Sequence, residues 1–196
     1  MISYLSKYRH FGLPVKAIFL GLVCLFSGVT NASNNHNQSL VTKNLAQVEG
    51  LGQGRMTYWG FTLYDAKLYT SKEPKGGIAL DIQYLRKFEA KDLAKQTLDE
   101  LKKLGVSETQ RAEWADPLVK AFKTVQVGDS ITAIKKPQGS TQFFYNGQFV
   151  SEISGESFSQ AFFGIWLHPK TSAPQLRKIL LGQYCPRVNL EAYCHD

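Results

Sequence analysis

Among the 196 residues are only three cysteines and four histidines. Histidine chemistry is therefore thinly supplied. His36 lies in a polar stretch, His195 in the last two positions, and His168 beside Pro169, and none has an evident partner for a triad or a metal site. The Gly-x-Ser-x-Gly, Walker and His-Glu-x-x-His signatures are missing, so the common serine-hydrolase, nucleotide-hydrolase and zinc-protease designs are excluded. No apolar run reaches the ~20 residues of a membrane span. There is no dense Lys/Arg tract with interleaved aromatics, which leaves nucleic-acid binding without support. No cofactor motif is present. Gly50-Leu-Gly-Gln-Gly54 has the wrong spacing for a dinucleotide loop and precedes a strand, so a bent or bulged strand is the better reading.

Acidic residues are absent before Glu49, and this marks the N-terminus. Lys7, Arg9 and Lys16 precede the short apolar run Ala17–Phe26, and small residues follow as far as Thr30 and Ala32. Residues 1–32 read as a secretory signal peptide cleaved after Ala32. The run is too short for an anchor, so no stable membrane span is expected after cleavage. Removing its three basic residues takes the formal net charge from +7 to +4. Export also explains the cysteines. Cys24 leaves with the signal, and Cys185 and Cys194 remain as an even pair suited to a disulfide in an oxidising compartment. A metal site from Cys185, Cys194 and His195 would be short of ligands.

What remains is ordinary globular sequence, 43% hydrophobic and 20% charged. Residues 33–44 are polar and Asn-rich and read as a disordered linker. The domain is expected over 45–184, with 185–196 as a disulfide-closed tail. Arg55–Tyr58 and Phe61–Tyr69 form a hairpin turning at Trp59-Gly60. Ile78–Leu85 alternates as a strand. Leu93, Thr97, Leu101 and Leu104 share a helix face that Gly105 ends. Ser107-Glu-Thr-Gln110 is a capping box for a second helix, which Pro117 would kink or restart. Ile131–Lys135, Thr141–Tyr145 and Gln148–Ile153 are strands, the last two joined by Asn146-Gly147. Phe158, Phe162 and Trp166 line another helix. Ser172-Ala-Pro-Gln175 would cap a final helix ending at Gly182. The fold class is α+β, a curved antiparallel sheet with helices packed on one face.

The hairpin carries the sharpest constellation. With a two-residue loop and unbroken register, Thr57 opposes Thr62 and Arg55 opposes Tyr64, so the four share one face. A planar guanidinium beside a phenol is a carboxylate receptor. The alternative is an exposed strand arginine and a core tyrosine, and a one-residue slip in register is enough to separate them.

These residues resemble a known family. Gly52-x-Gly54-Arg55 with Phe61-x-Leu-Tyr64-x-Ala66-x-Leu68-Tyr69 is similar to the opening of chalcone isomerase-fold proteins. Phe162–Leu167, the Ser172–Gln175 cap and Leu181-Gly182 are similar to the closing helices of bacterial, exported members. The resemblance spans Val48 to Gly182. It implies an open-faced β-sandwich and a periplasmic or secreted location. The family includes isomerases that close chalcones to flavanones, non-catalytic fatty-acid binders, and plant relatives that assist flavonoid synthesis without catalysis. Arg55 and Tyr64 fall at the positions that hold the carboxylate in the fatty-acid binders. The isomerases add a tyrosine and an asparagine on the following helix, where this chain has Leu93 and Glu100. No tyrosine or asparagine occurs from Lys87 to Gly105.

The resemblance thus implies an exported, non-catalytic binder of a fatty acid or similar acidic amphiphile, with Arg55 and Tyr64 at the head group. Thr57 and Thr62, on the same expected hairpin face, are the supporting candidates, and no catalytic, metal or cofactor site is expected. Leu68, Leu93, Leu101, Phe158 and Phe162 are candidates for the apolar wall. The alternatives are an isomerase or lyase acting on a phenolic or enone substrate, and a ligand-free interaction protein. The sequence names no protein partner.

Overall fold

The computed structural model describes residues 32–183, 185 and 189–194. The expected signal peptide lies outside the described residues except for Ala32, as does His195. Eleven elements and a short 3-10 turn follow in chain order: α1 (Ala32–Asn44), β1 (Val48–Tyr58), β2 (Phe61–Ser71), β3 (Ile78–Tyr84), α2 (Ala90–Lys103), α3 (Glu108–Ala121), β4 (Ser130–Lys135), β5 (Thr141–Tyr145), β6 (Gln148–Ile153), α4 (Glu156–Leu167) and α5 (Pro174–Leu181), the 3-10 turn spanning Glu191–Tyr193. The six strands form one antiparallel sheet in sequential order. This is the α+β, open-faced sandwich expected from strand and helix periodicity.

Strand alternation sorts the sheet residues onto two faces. Ala66, Leu68, Leu80, Ile82, Ala133 and Phe143 pack beneath α2–α5 in the main core. Rings from α4 dominate that core: Phe162 lies 5.1 Å from Phe143, edge to face, and Phe158 lies 5.3 Å from Trp114 of α3. Ser107 caps α3 by accepting from the Gln110 amide, as its capping box predicts, and the helix runs through Pro117 without interruption. The final helix departs from expectation. Its N-cap is Ala173, whose amide bonds to Thr171 Oγ1, and Ser172 does not cap it. The glycine-rich start of β1 does carry a bulge, between Gly50 and Gly52. Beyond it α5 lies directly on the strand: a Cβ at Gly52 would overlap the Ile179 carbonyl oxygen, and one at Gly54 would fall 2.7 Å from Leu176 Cδ1. A disulfide joins Cys185 to Cys194, with Cα atoms 5.3 Å apart.

The stretch expected to be a disordered linker is helix α1, and it covers part of the opposite sheet face. Val41 and Leu45 pack with Tyr69, Ala79, Ile134 and Phe144 in a second apolar cluster. Asn37, although polar, is buried, and its amide donates to both carboxylate oxygens of Asp81 at 3.1 Å and to Ser130 Oγ at 3.0 Å. Composition misleads here because this polar side chain is consumed by a buried acid in the sheet rather than by water.

Asp81 also accepts from Thr132 Oγ1 at 2.8 Å. Burial raises its pKa above the ordinary 3.8, outweighing the Thr132 and Asn37 hydrogen bonds and the attraction of Lys67. The folded protein therefore binds this proton at higher pH than the unfolded chain does. Between the two pKa values stability falls as pH rises. Lowering the pH from neutral should accordingly stabilise wild type relative to Asp81→Asn, read from urea unfolding across a pH series. A constant difference between the two proteins would contradict this account.

Candidate functional site

The strand register places the expected site residues. The turn forms at Trp59-Gly60, with Tyr58 opposite Phe61 and Thr57 opposite Thr62. A second bulge follows, between Met56 and Thr57, and leaves Leu63 without an opposing residue. Beyond it Met56 pairs with Tyr64, and Arg55 pairs with Asp65. One extra residue in β2 thus moves Tyr64 off the face that carries Arg55.

The expected four-residue strip is therefore not assembled. Arg55 is exposed and makes a two-pronged ion pair with Asp65, Nε to Oδ1 at 2.7 Å and the second nitrogen to Oδ2 at 2.8 Å. Thr57 and Thr62 are exposed as well. Tyr64 faces the other way, into a cavity of about 500 Å³ between the sheet and the helices.

The sheet, α2 and α4 supply most of the walls of that cavity. The floor comes from Met56, Tyr64, Leu80, Ile82, Tyr84 and Ile131 of β1–β4. Helix α2 presents Asp92, Leu93, Gln96, Thr97, Glu100 and Lys103 along one side. Helix α4 adds Phe162, Ile165 and Trp166. Of the five expected wall residues, Leu93 and Phe162 reach the cavity. Leu68, Leu101 and Phe158 are fully buried in the main core.

Polar groups are few and already organised. The Trp166 indole N–H donates to Tyr64 Oη at 2.9 Å, so the phenol still has its own hydrogen to donate. Desolvation raises the Tyr64 pKa to about 12, with the Trp166 bond opposing and Glu100 assisting. The phenol is neutral at neutral pH and acts as a donor. Glu100 accepts from Lys103 at 2.7 Å and from Gln96 at 2.9 Å. Thr97 spends its hydroxyl on the Leu93 carbonyl at 2.9 Å. Tyr84 packs edge-on to both Tyr64 and Phe88, at 6.1 and 5.7 Å. Leu93 and Glu100, which the family resemblance aligned with the isomerase tyrosine and asparagine, do line the cavity, but they bring a hydrocarbon and a carboxylate.

Sequence reasoning missed Trp166 as the partner of Tyr64, and Lys103 as a cation on the cavity wall. Lys103 carries a signal in retrospect, since it continues the α2 stripe by ten residues from Leu93. No local signal marks the bulge at Leu63.

The two members of the expected pair differ in energetic weight. Tyr64→Phe deprives a buried indole N–H of its acceptor and should lower unfolding free energy by about 1–3 kcal/mol. Arg55→Ala removes a solvent-exposed ion pair and should leave the denaturation midpoint nearly unchanged. The opposite ranking in chemical denaturation would contradict the register described above.

Comparison with known proteins agrees with the fold. Over residues 37–182 the sequence matches the model of a family described as chalcone isomerase-like. An uncharacterized protein of Haemophilus influenzae is 22% identical over 175 residues, covering 87% of this chain and 79% of that protein. A crystal structure of a fatty-acid binding protein of Arabidopsis thaliana superposes with a TM-score of 0.56 at 13% identity, covering 69% of this chain and 87% of that one, which establishes likeness of fold. With most of its length matched to the family, this chain belongs to the chalcone isomerase-like proteins.

Proposed function

We propose that this protein is an exported, non-catalytic carrier that holds a fatty acid or similar acidic amphiphile between its sheet and helices. The carrying observation is the cavity itself. Its volume of about 500 Å³ lies within the ~300–1,000 Å³ usual for small-molecule sites. Its floor is aliphatic and aromatic, while its charged groups are gathered on α2. Such a site suits a molecule with a long apolar body and one polar end.

In this reading the head group sits against Tyr64 and Lys103 rather than Arg55. The phenol donates one hydrogen bond. The ammonium has three donors and gives one to Glu100, so it can also take a ligand carboxylate. Trp166 fixes the phenol in place. The fatty-acid binding protein with a similar fold supports a lipid-like ligand. Export is supported by the basic, then apolar, N-terminal sequence and by the Cys185–Cys194 disulfide.

Native mass spectrometry of the protein purified without detergent tests this reading. Wild type should carry an acidic lipid or take up one from a fatty-acid panel. Leu93→Trp, which fills the cavity, should bind at least about tenfold more weakly while remaining folded by circular dichroism. A bare wild-type mass after incubation, or undiminished binding by the variant, would overturn the carrier reading.

A further inference from the structure

The tip of the β1–β2 hairpin has no role in the core, yet it is built from large rings. Trp59 is 84% exposed, Tyr58 62% and Phe61 58%. Three of the seven exposed large hydrophobics among the described residues thus fall within four consecutive positions. Such clustering marks a contact surface, whereas single exposed apolar residues do not.

Backbone conformation sharpens the point. Trp59 has φ of 51° and Gly60 φ of 79°. The β5–β6 hairpin turns with nearly the same values, 47° at Asn146 and 79° at Gly147. Asn-Gly is the favoured pair for this turn, because asparagine tolerates left-handed φ. A bulky residue there is a conformational outlier. The same chain therefore uses the relaxed sequence at one hairpin and a strained one at the other. Apart from a tilted contact with the Tyr58 ring at 6.2 Å, the Trp59 ring meets solvent rather than the core.

The surroundings indicate what the rings meet. The exposed Arg86 guanidinium lies 4.8 Å from the Phe61 ring centroid. Lys103 shares the cavity wall with Tyr58, and Tyr58 also belongs to the tip. Lys103 is bonded to Glu100 and also lies within the field of Asp99, so the cation at the tip itself with no ion pair among the described residues is Arg86. Trp and Tyr rings flanked by Arg and Lys match the headgroup zone of a bilayer, where ring bodies enter the acyl boundary and cations face phosphates. A protein groove would more usually be met by a buried aromatic anchor in a packed patch than by a single protruding turn.

We infer that the Tyr58–Phe61 hairpin tip, with Arg86 and Lys103, docks on the surface of an anionic lipid bilayer beside the mouth of the cavity. Docking itself is independent of the cargo. Only its purpose, passing an amphiphile between membrane and cavity, rests on the carrier reading.

The full chain, as recovered from an exporting bacterial host, would be mixed with phosphatidylethanolamine vesicles with and without phosphatidylglycerol, some carrying brominated acyl chains. Wild type should co-sediment, more strongly with phosphatidylglycerol present, and the brominated chains should quench its exposed tryptophan emission. Trp59→Asn restores the favoured turn sequence, so it should fold at least as stably. It should bind roughly tenfold more weakly and lose the quenching, since Trp114 and Trp166 are buried. Arg86→Gln should reduce the preference for phosphatidylglycerol. Equal sedimentation of wild type and Trp59→Asn, or wild type that ignores vesicles and instead dimerises through the tip, would overturn the inference. Vesicle binding by a protein that holds no fatty acid would uphold docking while removing the carrier reading.

Discussion

The site is decided by one extra residue in a β ladder. The bulge opposite Met56 and Thr57 absorbs Leu63, and from there β2 presents Tyr64 to the helices and Asp65 to the other face. Because side chains alternate strictly along a strand, this local irregularity reassigns every residue beyond it. Arg55 acquires Asp65 as a bidentate partner, and Tyr64 acquires Trp166. Without the bulge the arginine and tyrosine would stand side by side. With it, the cavity holds a phenol and takes its cation from a helix instead.

Several features were legible in the sequence for physical reasons. Trp59-Gly60 and Asn146-Gly147 announce their turns through glycine at a left-handed position. Ile78, Leu80 and Ile82 alternate against Ala79 and Asp81, which gives the strand and its faces together. Ser107 and Gln110 fix the start of α3 through a local hydrogen bond. Cys185 and Cys194, expected as a pair, are joined by a disulfide. The illegible features depend on contacts distant in sequence. Asn37 reads as linker until Asp81, 44 residues away, is seen to need its amide. Tyr64 and Trp166 are 102 residues apart. The bulge has no such partner to reveal it and no distinctive residue. Spacing considered alone left room for an exposed arginine and a tyrosine turned to the helices, which is the arrangement found; family resemblance pointed instead to the paired arrangement.

The sheet is a wall between two differently furnished sides. Toward α2–α5 it is apolar, and the cavity opens between β1–β4 and helices α2 and α4. Toward α1 it carries the Asp81 network and a smaller apolar cluster. Close approach of α5 to β1, made possible by Gly52 and Gly54, braces the hairpin from its root. Its tip is exposed, and Tyr58 of the tip also lines the cavity. Braced root, cavity-lining middle and exposed aromatic tip follow one another along one hairpin.

Met56 provides the most direct probe of this account. It is the one methionine besides Met1, and it lines the cavity opposite Tyr64. Methyl-labelled methionine would report occupancy by NMR as oleate is titrated. The account predicts that the Met56 methyl shifts and shows cross-relaxation with the acyl chain, equally in wild type and Arg55→Ala. Oleate bound with no response at Met56, or a response that disappears with Arg55→Ala, would contradict it.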